Sequence, residues 1–286
     1  MASLIALLSA VAYGAADFLG GVAARRATTI AAVVVSQAAG VVLLLAVIPL
    51  LPPAIVSSRD IAWGAAAGLF GGSGVALLYR ALAIGPMSVV APVTAVCAAA
   101  VPVTFGLLLG ERLGWLTTVG IAVAGIAIVL LGQERRDKGD TAGLPAPQSL
   151  LGIQLALASG LAIGCFLVSL ARTAPSAGLW PLIPARIVSV GLFGILAVAM
   201  RQPLLVPRPV MATAIGGGAL DMLANALYLF AVQNGPLSIV ATLASLYPAS
   251  TVVLARFVLQ ERLSGLQQAG IAAAVVATVL IVSGAH

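Results

Sequence analysis

Again and again along this chain, a run of apolar residues long enough to cross a lipid bilayer is closed off by charged residues, prolines or glycines. A helix rises about 1.5 Å per residue, so about 20 residues traverse the roughly 30 Å hydrocarbon layer. Ten such spans are predicted, near 3–23, 30–51, 61–80, 88–109 and 114–132, then 149–170, 179–200, 210–232, 237–259 and 265–283. The charge content agrees: 8% of residues are charged and 62% hydrophobic, with mean hydropathy +1.17. A soluble domain carries about 25% charged residues, so this chain has too few charges to build a water-facing surface. An all-α integral membrane protein follows, located in the cell membrane as a multi-pass protein.

The formal charge of +6 suggests nucleic acid until the basic residues are located, since they fall almost entirely between the apolar runs. That distribution sets topology and gives no nucleic-acid partner. Cys97 and Cys165 both lie inside apolar segments and read as buried thiols, not as a disulfide. The sole histidine is His286, so neither a metal cluster nor a triad requiring an imidazole in the bilayer is supported. The opening segment has no basic n-region, and its apolar run continues to about Ala24, which reads as a first helix and not as a cleaved signal peptide.

The longest polar stretch, residues 133–148, separates a first repeat at 1–132 from a second at 149–286. A shift of 150 residues carries Gly85-Pro86-Met87-Ser88 onto Gly235-Pro236-Leu237-Ser238, Glu111-Arg112-Leu113 onto Glu261-Arg262-Leu263, and Gly120-Ile121 onto Gly270-Ile271. One register holds for all three markers without a gap. Because each half has an odd number of spans, the second enters the membrane from the opposite side, giving a 5+5 inverted-topology repeat.

The Gly-Pro-x-Ser helix, the Glu-Arg-Leu turn and the glycine-bearing span after it, all occurring twice, resemble the EamA branch of the drug/metabolite transporter superfamily. The resemblance covers nearly the whole chain. It implies ten transmembrane helices around a central cavity and alternating access for metabolite export or exchange. It does not select a substrate.

Orientation stays open. The side holding the amino terminus receives Arg59, Arg112 and Arg172; the other receives Arg25, Arg26, Arg135, Arg136, Lys138, Arg201, Arg208 and Arg262. This bias favours external termini, whereas many members of the resembled family have cytoplasmic ones.

Polar residues within the spans are the functional candidates, because a carboxylate at mid-membrane costs roughly 2.5–3.5 kcal/mol and is tolerated only beside water or a partner. Ser9, Tyr13 and Asp17 are four apart and share one face of the first helix. In the eighth, Gly217, Asp221 and Asn225 do the same, with Tyr228 three further on. Either aspartate could carry a coupled proton or pair with a cationic substrate; the alternative for each is solvation at the interface or a structural ion pair. Arg186, just after Pro184, needs a carboxylate, a carbonyl rim or an anionic substrate, with a structural salt bridge to Asp17 or Asp221 as the alternative reading. Gln37 holds the comparable place in the second helix, and Tyr247 and Tyr79 are candidate cavity or gate aromatics, with the interfacial belt as the alternative. Pro92, Pro102 and Pro248 are expected to bend the fourth and ninth helices, as gates or as fixed curvature. Glu111 and Glu261 are expected to sit at the start of the helix that follows each. Gly64, Gly68 and Gly72 form a packing seam, and Gly71-Gly72-Ser73-Gly74 lacks the lysine and setting of a phosphate loop.

Together these features predict a secondary transporter for a small polar or amphipathic metabolite or drug, coupled to a proton or solute gradient, without a cofactor, and acting as a monomer or homodimer. A non-transporting membrane scaffold or sensor is the alternative. An intramembrane enzyme using Asp17 and Asp221 as a carboxylate pair is a further one, though no nucleophile or cofactor signature accompanies them. Two acids argue for a cationic or zwitterionic solute, and Arg186 for an anionic group.

Overall fold

The computed structural model describes residues 1–50, 53–84, 87–131, 147–202, 204, 206–258 and 264–284. Among these residues every regular element is helical. The longer helices are α1 Ala2–Arg26, α2 Thr29–Val47, α3 Ser58–Ile84, α4 Met87–Leu108, α5 Trp115–Leu131, α6 Pro147–Ala171, α7 Leu182–Ala199, α8 Arg208–Gln233, α9 Leu237–Ala244, α10 Tyr247–Val258 and α11 Gly265–Gly284. Among the described residues six stretches are long and apolar enough to cross a membrane: Ala2–Arg26, Thr29–Leu50, Ser58–Ile84, Leu150–Ala171, Leu182–Ala199 and Arg208–Gln233. Four shorter apolar helices accompany them, Val93–Leu108, Trp115–Leu130, Leu237–Thr251 and Gly265–Ile281.

Local chemistry sets several helix starts. The Thr28 hydroxyl accepts the Ala31 amide at the head of α2. At α3, Ser57 and Asp60 form a reciprocal capping box, with the Ser57 amide donating to Asp60 Oδ2 at 2.9 Å and the Asp60 amide to Ser57 Oγ at 3.2 Å. Asp60 Oδ1 also accepts the Ala174 amide at 2.7 Å, which fastens the loop after α6 to the head of α3. Ser264 and Gln267 repeat the box at α11.

Side chains are sorted by size and not by apolarity. Buried positions are dominated by alanine and glycine, while Leu4, Leu8, Val11, Ile187, Ile195, Val198, Val275 and Val279 point outward. Lipid tails are as apolar as leucine, so an interior in oil is selected for close backbone approach. Gly68 of α3 lies against the Ala185 carbonyl of α7, and Gly218 of α8 against the Ser36 carbonyl of α2. The seam predicted at Gly64, Gly68 and Gly72 faces α7 throughout, touching Pro181, Ala185 and Ser189.

The main packing partners come from opposite sides of the 132–146 segment: α1 with α8, α9 and α10; α6 with α3 and α4; α2 with α7 and α8; α3 with α7; α5 with α11. Exchanging the two sets maps this list onto itself. The sequence register survives in detail. Ser9 Oγ donates to the Ala224 carbonyl at 2.8 Å, and Ser159 Oγ donates to the Gly74 carbonyl at 2.8 Å; donor and acceptor each differ by the same 150 positions. Gly68 and Gly218 are related by that shift too, as are Gly14, against the Tyr247 carbonyl, and Gly164, which lies against a carbonyl one position off that register, Ala98.

One expected span is not continuous. In place of a single helix over 237–259, α9 stops at Ala244 and α10 starts at Tyr247. Pro248 has no amide to donate to the Ala244 carbonyl, and its ring excludes the preceding turn. The Leu246 and Ala249 amides turn instead to carbonyls three residues back, at 3.2 and 3.0 Å. By contrast α4 runs unbroken from Met87 to Leu108 through Pro92 and Pro102. The carbonyl of Ala98, four residues before the buried Pro102, lies beside Gly164 of α6.

Candidate functional site

Between the two sets of helices lies a cavity of about 760 Å³ of atom-free space, lined from α1, α2, α3, α4, α6, α7, α8, α9, α10 and the break between the last two. Its walls are chemically unequal. Tyr13, Asp17, Gln37, Arg186, Ser189, Asp221, Asn225, Ser245 and Tyr247 bring polar groups. The α3, α4 and α6 walls bring Val75, Leu78, Ile163, Phe166 and Leu167 with Gly68, Gly71, Gly72 and Ala98.

On the polar wall, four side chains form one chain of bonds from α1 through α8 to α7. The Tyr13 hydroxyl donates to Asn225 Oδ1 at 2.7 Å. Asn225 Nδ2 donates to the Asp221 carbonyl at 2.7 Å and to Asp221 Oδ2 at 3.1 Å. That same oxygen accepts Arg186 Nη2 at 2.5 Å in an ion pair whose side chains are 8% and 16% exposed. Of the two carboxylates weighed as partners for Arg186, the structure pairs it with Asp221. Asp17 makes no hydrogen bond or ion pair with any described residue. Gln37 Oε1, Ser245 Oγ and Tyr247 Oη are buried and likewise without a partner among the described residues.

Several sequence candidates lie elsewhere. Tyr228 shares the face of Asp221 and Asn225 yet does not line the cavity: it is fully buried, and its hydroxyl donates to the Leu167 carbonyl at 3.1 Å. Tyr79 belongs neither to the cavity lining nor to an interfacial belt. It is buried and packs flat against Gly20 of α1, where any side chain would collide with its ring.

Glu111 is also displaced from its expected role. Its carboxylate does not serve α5, the next helix; it crosses to the other half and accepts the Leu237 and Ser238 amides of α9 at 2.7 and 3.0 Å. These are unpaired first-turn amides at the positive end of a helix. The Glu-Arg-Leu turn of one half thus holds the Gly-Pro-x-Ser helix of the other. Glu261 lies outside the described residues, and Pro92 is described only as part of the α4 backbone.

Ser245 and Ser189 are cavity residues that the sequence did not single out. Ser189 lies one turn beyond Arg186 on the same face, and Ser245 precedes the Tyr247-Pro248 break, so both signals were present beside residues already chosen.

Two matched copies of one fold around such a cavity invite comparison with known families. A family model described as the EamA-like transporter family matches residues 1–133 and again residues 150–283. The chain belongs to the EamA-like transporter family. As an EamA-like protein of the drug/metabolite transporter superfamily, it is an integral multi-pass membrane protein, and its family comprises transporters and not enzymes. A crystal structure 20% identical to this EamA-like chain, covering 99% of it and 97% of its own chain, superposes with a TM-score of 0.70 and so shares its fold. No curated protein matches the chain.

Proposed function

We propose that this EamA-like protein is a secondary transporter, an exporter or exchanger that carries a small polar or amphipathic solute by alternating access. Its ten spans would form two inverted five-helix repeats, with residues 133–148 as the linker. The observation that carries the reading is the cavity itself, bounded by helices from both matched segments and lined at mid-helix depth by ionisable side chains that oil would expel.

The packing supports the mechanism. Each half is held chiefly by the other, so α1 and α2 can rock with α8 against α3, α4 and α6. Binding and coupling are assigned to Tyr13, Asp17, Gln37, Arg186, Asp221, Asn225 and Tyr247. The proline-broken α9–α10 pair and the Glu111 contact on α9 are assigned to gating, with Pro102 shaping α4. Tyr228 is assigned to packing.

The test is flux through reconstituted vesicles. Solutes that raise the melting temperature of the purified protein are found first, and their uptake into proteoliposomes is then followed with and without a pH gradient. Asp17→Asn is expected to cut flux at least tenfold. Wild-type vesicles that bind such a solute yet pass it no faster than empty vesicles would sink the reading. Full rate and full pH dependence in Asp221→Asn would remove that residue from coupling.

A further inference from the structure

From the pairing of the cavity's carboxyl and guanidinium groups we infer that its occupant is a singly charged organic cation with an apolar body, whose ammonium group is held at Asp17. The inference rests on the transporter reading and narrows it to a substrate class.

Two aspartates and one arginine line the cavity: Asp17, Asp221 and Arg186. Two of them cancel. Arg186 and Asp221 form a close pair, Asn225 donates to the same carboxylate oxygen, and Tyr13 in turn holds Asn225. One carboxyl group is left, that of Asp17, which has no partner among the described residues. A solute carrying a carboxylate would have to share Arg186 with Asp221, placing a second anion on one guanidinium in a low-dielectric wall beside Asp17, so anions and zwitterions are disfavoured. A cation meets Asp17 without dismantling anything.

The unpartnered atoms point to the same class of ligand. Gln37 Oε1 can only accept, and the Ser245 and Tyr247 hydroxyls can each accept. With the two oxygens of Asp17 they form a surplus of acceptors on residues that line one space. An ammonium brings up to three N–H donors and no acceptor, the complement of that set. The α9 helix also ends at Ala244 and Ser245 on the cavity wall, which places the negative end of its dipole there. Opposite, Val75, Leu78, Ile163, Phe166 and Leu167 supply a dry surface for the rest of the molecule.

Four molecules of nearly the same shape separate the possibilities: 2-phenylethylamine as cation, phenylalanine as zwitterion, 3-phenylpropionate as anion and 2-phenylethanol as neutral body. Each is titrated at neutral pH against the purified full chain in detergent, with the melting temperature as readout. The amine is expected to bind at least tenfold more tightly than the other three, and at least tenfold less tightly to Asp17→Asn, while Asp17→Glu keeps the preference. Should Asp17→Asn fail to fold, the ranking on the wild type decides alone. A ranking led by phenylalanine or phenylpropionate, equal binding of the alcohol, or no binding by any of the four overturns the inference. Flux is read separately: amine binding without vesicle uptake would defeat the transporter reading and leave the cation site standing, whereas uptake of an anionic or zwitterionic solute would do the reverse.

Discussion

Gly218 shows how little room single residues have here. A methyl group on it would run into the Ser36 carbonyl, and the same holds for Gly68 against Ala185. Backbone cannot yield as a flexible side chain can, so Gly218→Ala is expected to cost about 1–3 kcal/mol or more through overpacking. Gly191 has nothing within 4 Å of the corresponding position, and Gly191→Ala is expected to be neutral or to gain up to about 1 kcal/mol from helix propensity. Thermal unfolding of both variants in one detergent checks the contrast. At the polar wall, removing either Arg186 or Asp221 strands a buried charge. Arg186→Met and Asp221→Leu are each expected to destabilise by about 3–5 kcal/mol, and the double variant by less than either, because an apolar pair replaces an ion pair at little cost in a buried site. A double-mutant cycle of unfolding free energies measures this coupling; additive losses would mean that the 2.5 Å contact contributes nothing.

At the scale of elements, the most informative contact is a helix end. Glu111 holds the first-turn amides of α9, 126 residues away in sequence. Glu111→Gln keeps one acceptor oxygen and loses the charge, so about 1–3 kcal/mol of stability should go with it. The loss should appear as a lower melting temperature, and as faster amide exchange at Leu237 and Ser238 without a matching change in α5. The contact joins a Glu-Arg-Leu turn to a Gly-Pro-x-Ser helix across the two halves. The turn after one half's fourth helix is shaped to hold the start of the other half's broken helix. The break itself has a local cause in Pro248, yet Pro102 leaves α4 continuous. A missing amide bends or breaks a helix only when neighbouring groups do not restore the turn, and those neighbours are tertiary.

For the molecule as a whole, the recurring hydrogen bonds are the clearest record of duplication. Ser9 to Ala224 and Ser159 to Gly74 have equal lengths and both are buried. Ser9→Ala and Ser159→Ala should therefore cost the same, about 0.5–1.5 kcal/mol each, and should add when combined, since the two bonds share no residues. Unequal losses would mean that the two interfaces have diverged in energy while keeping their geometry. The polar groups have diverged openly. A shift of 150 residues takes Asp221 to Gly71, Asp17 to Leu167 and Tyr247 to Cys97, so a symmetric scaffold encloses an asymmetric cavity, polar on one wall and apolar on the other.

Composition and periodicity were enough to specify a helical membrane protein, because so few charges cannot cover a soluble surface, and the repeat was legible because its register has no gaps. The spacing of four also placed Ser9, Tyr13 and Asp17 on one face, since helix geometry is local. Which carboxylate Arg186 would take was not legible: partners 35 positions apart meet only through the crossing of α7 and α8. The same holds for Tyr228, turned into α6, for Tyr79, seated on Gly20, and for Glu111, which serves a helix of the other half. Sequence determined which residues oil would not tolerate alone. Tertiary packing decided which of them found a partner, because that depends on the angle and depth at which two helices meet, and it left Asp17 facing the cavity with no described partner.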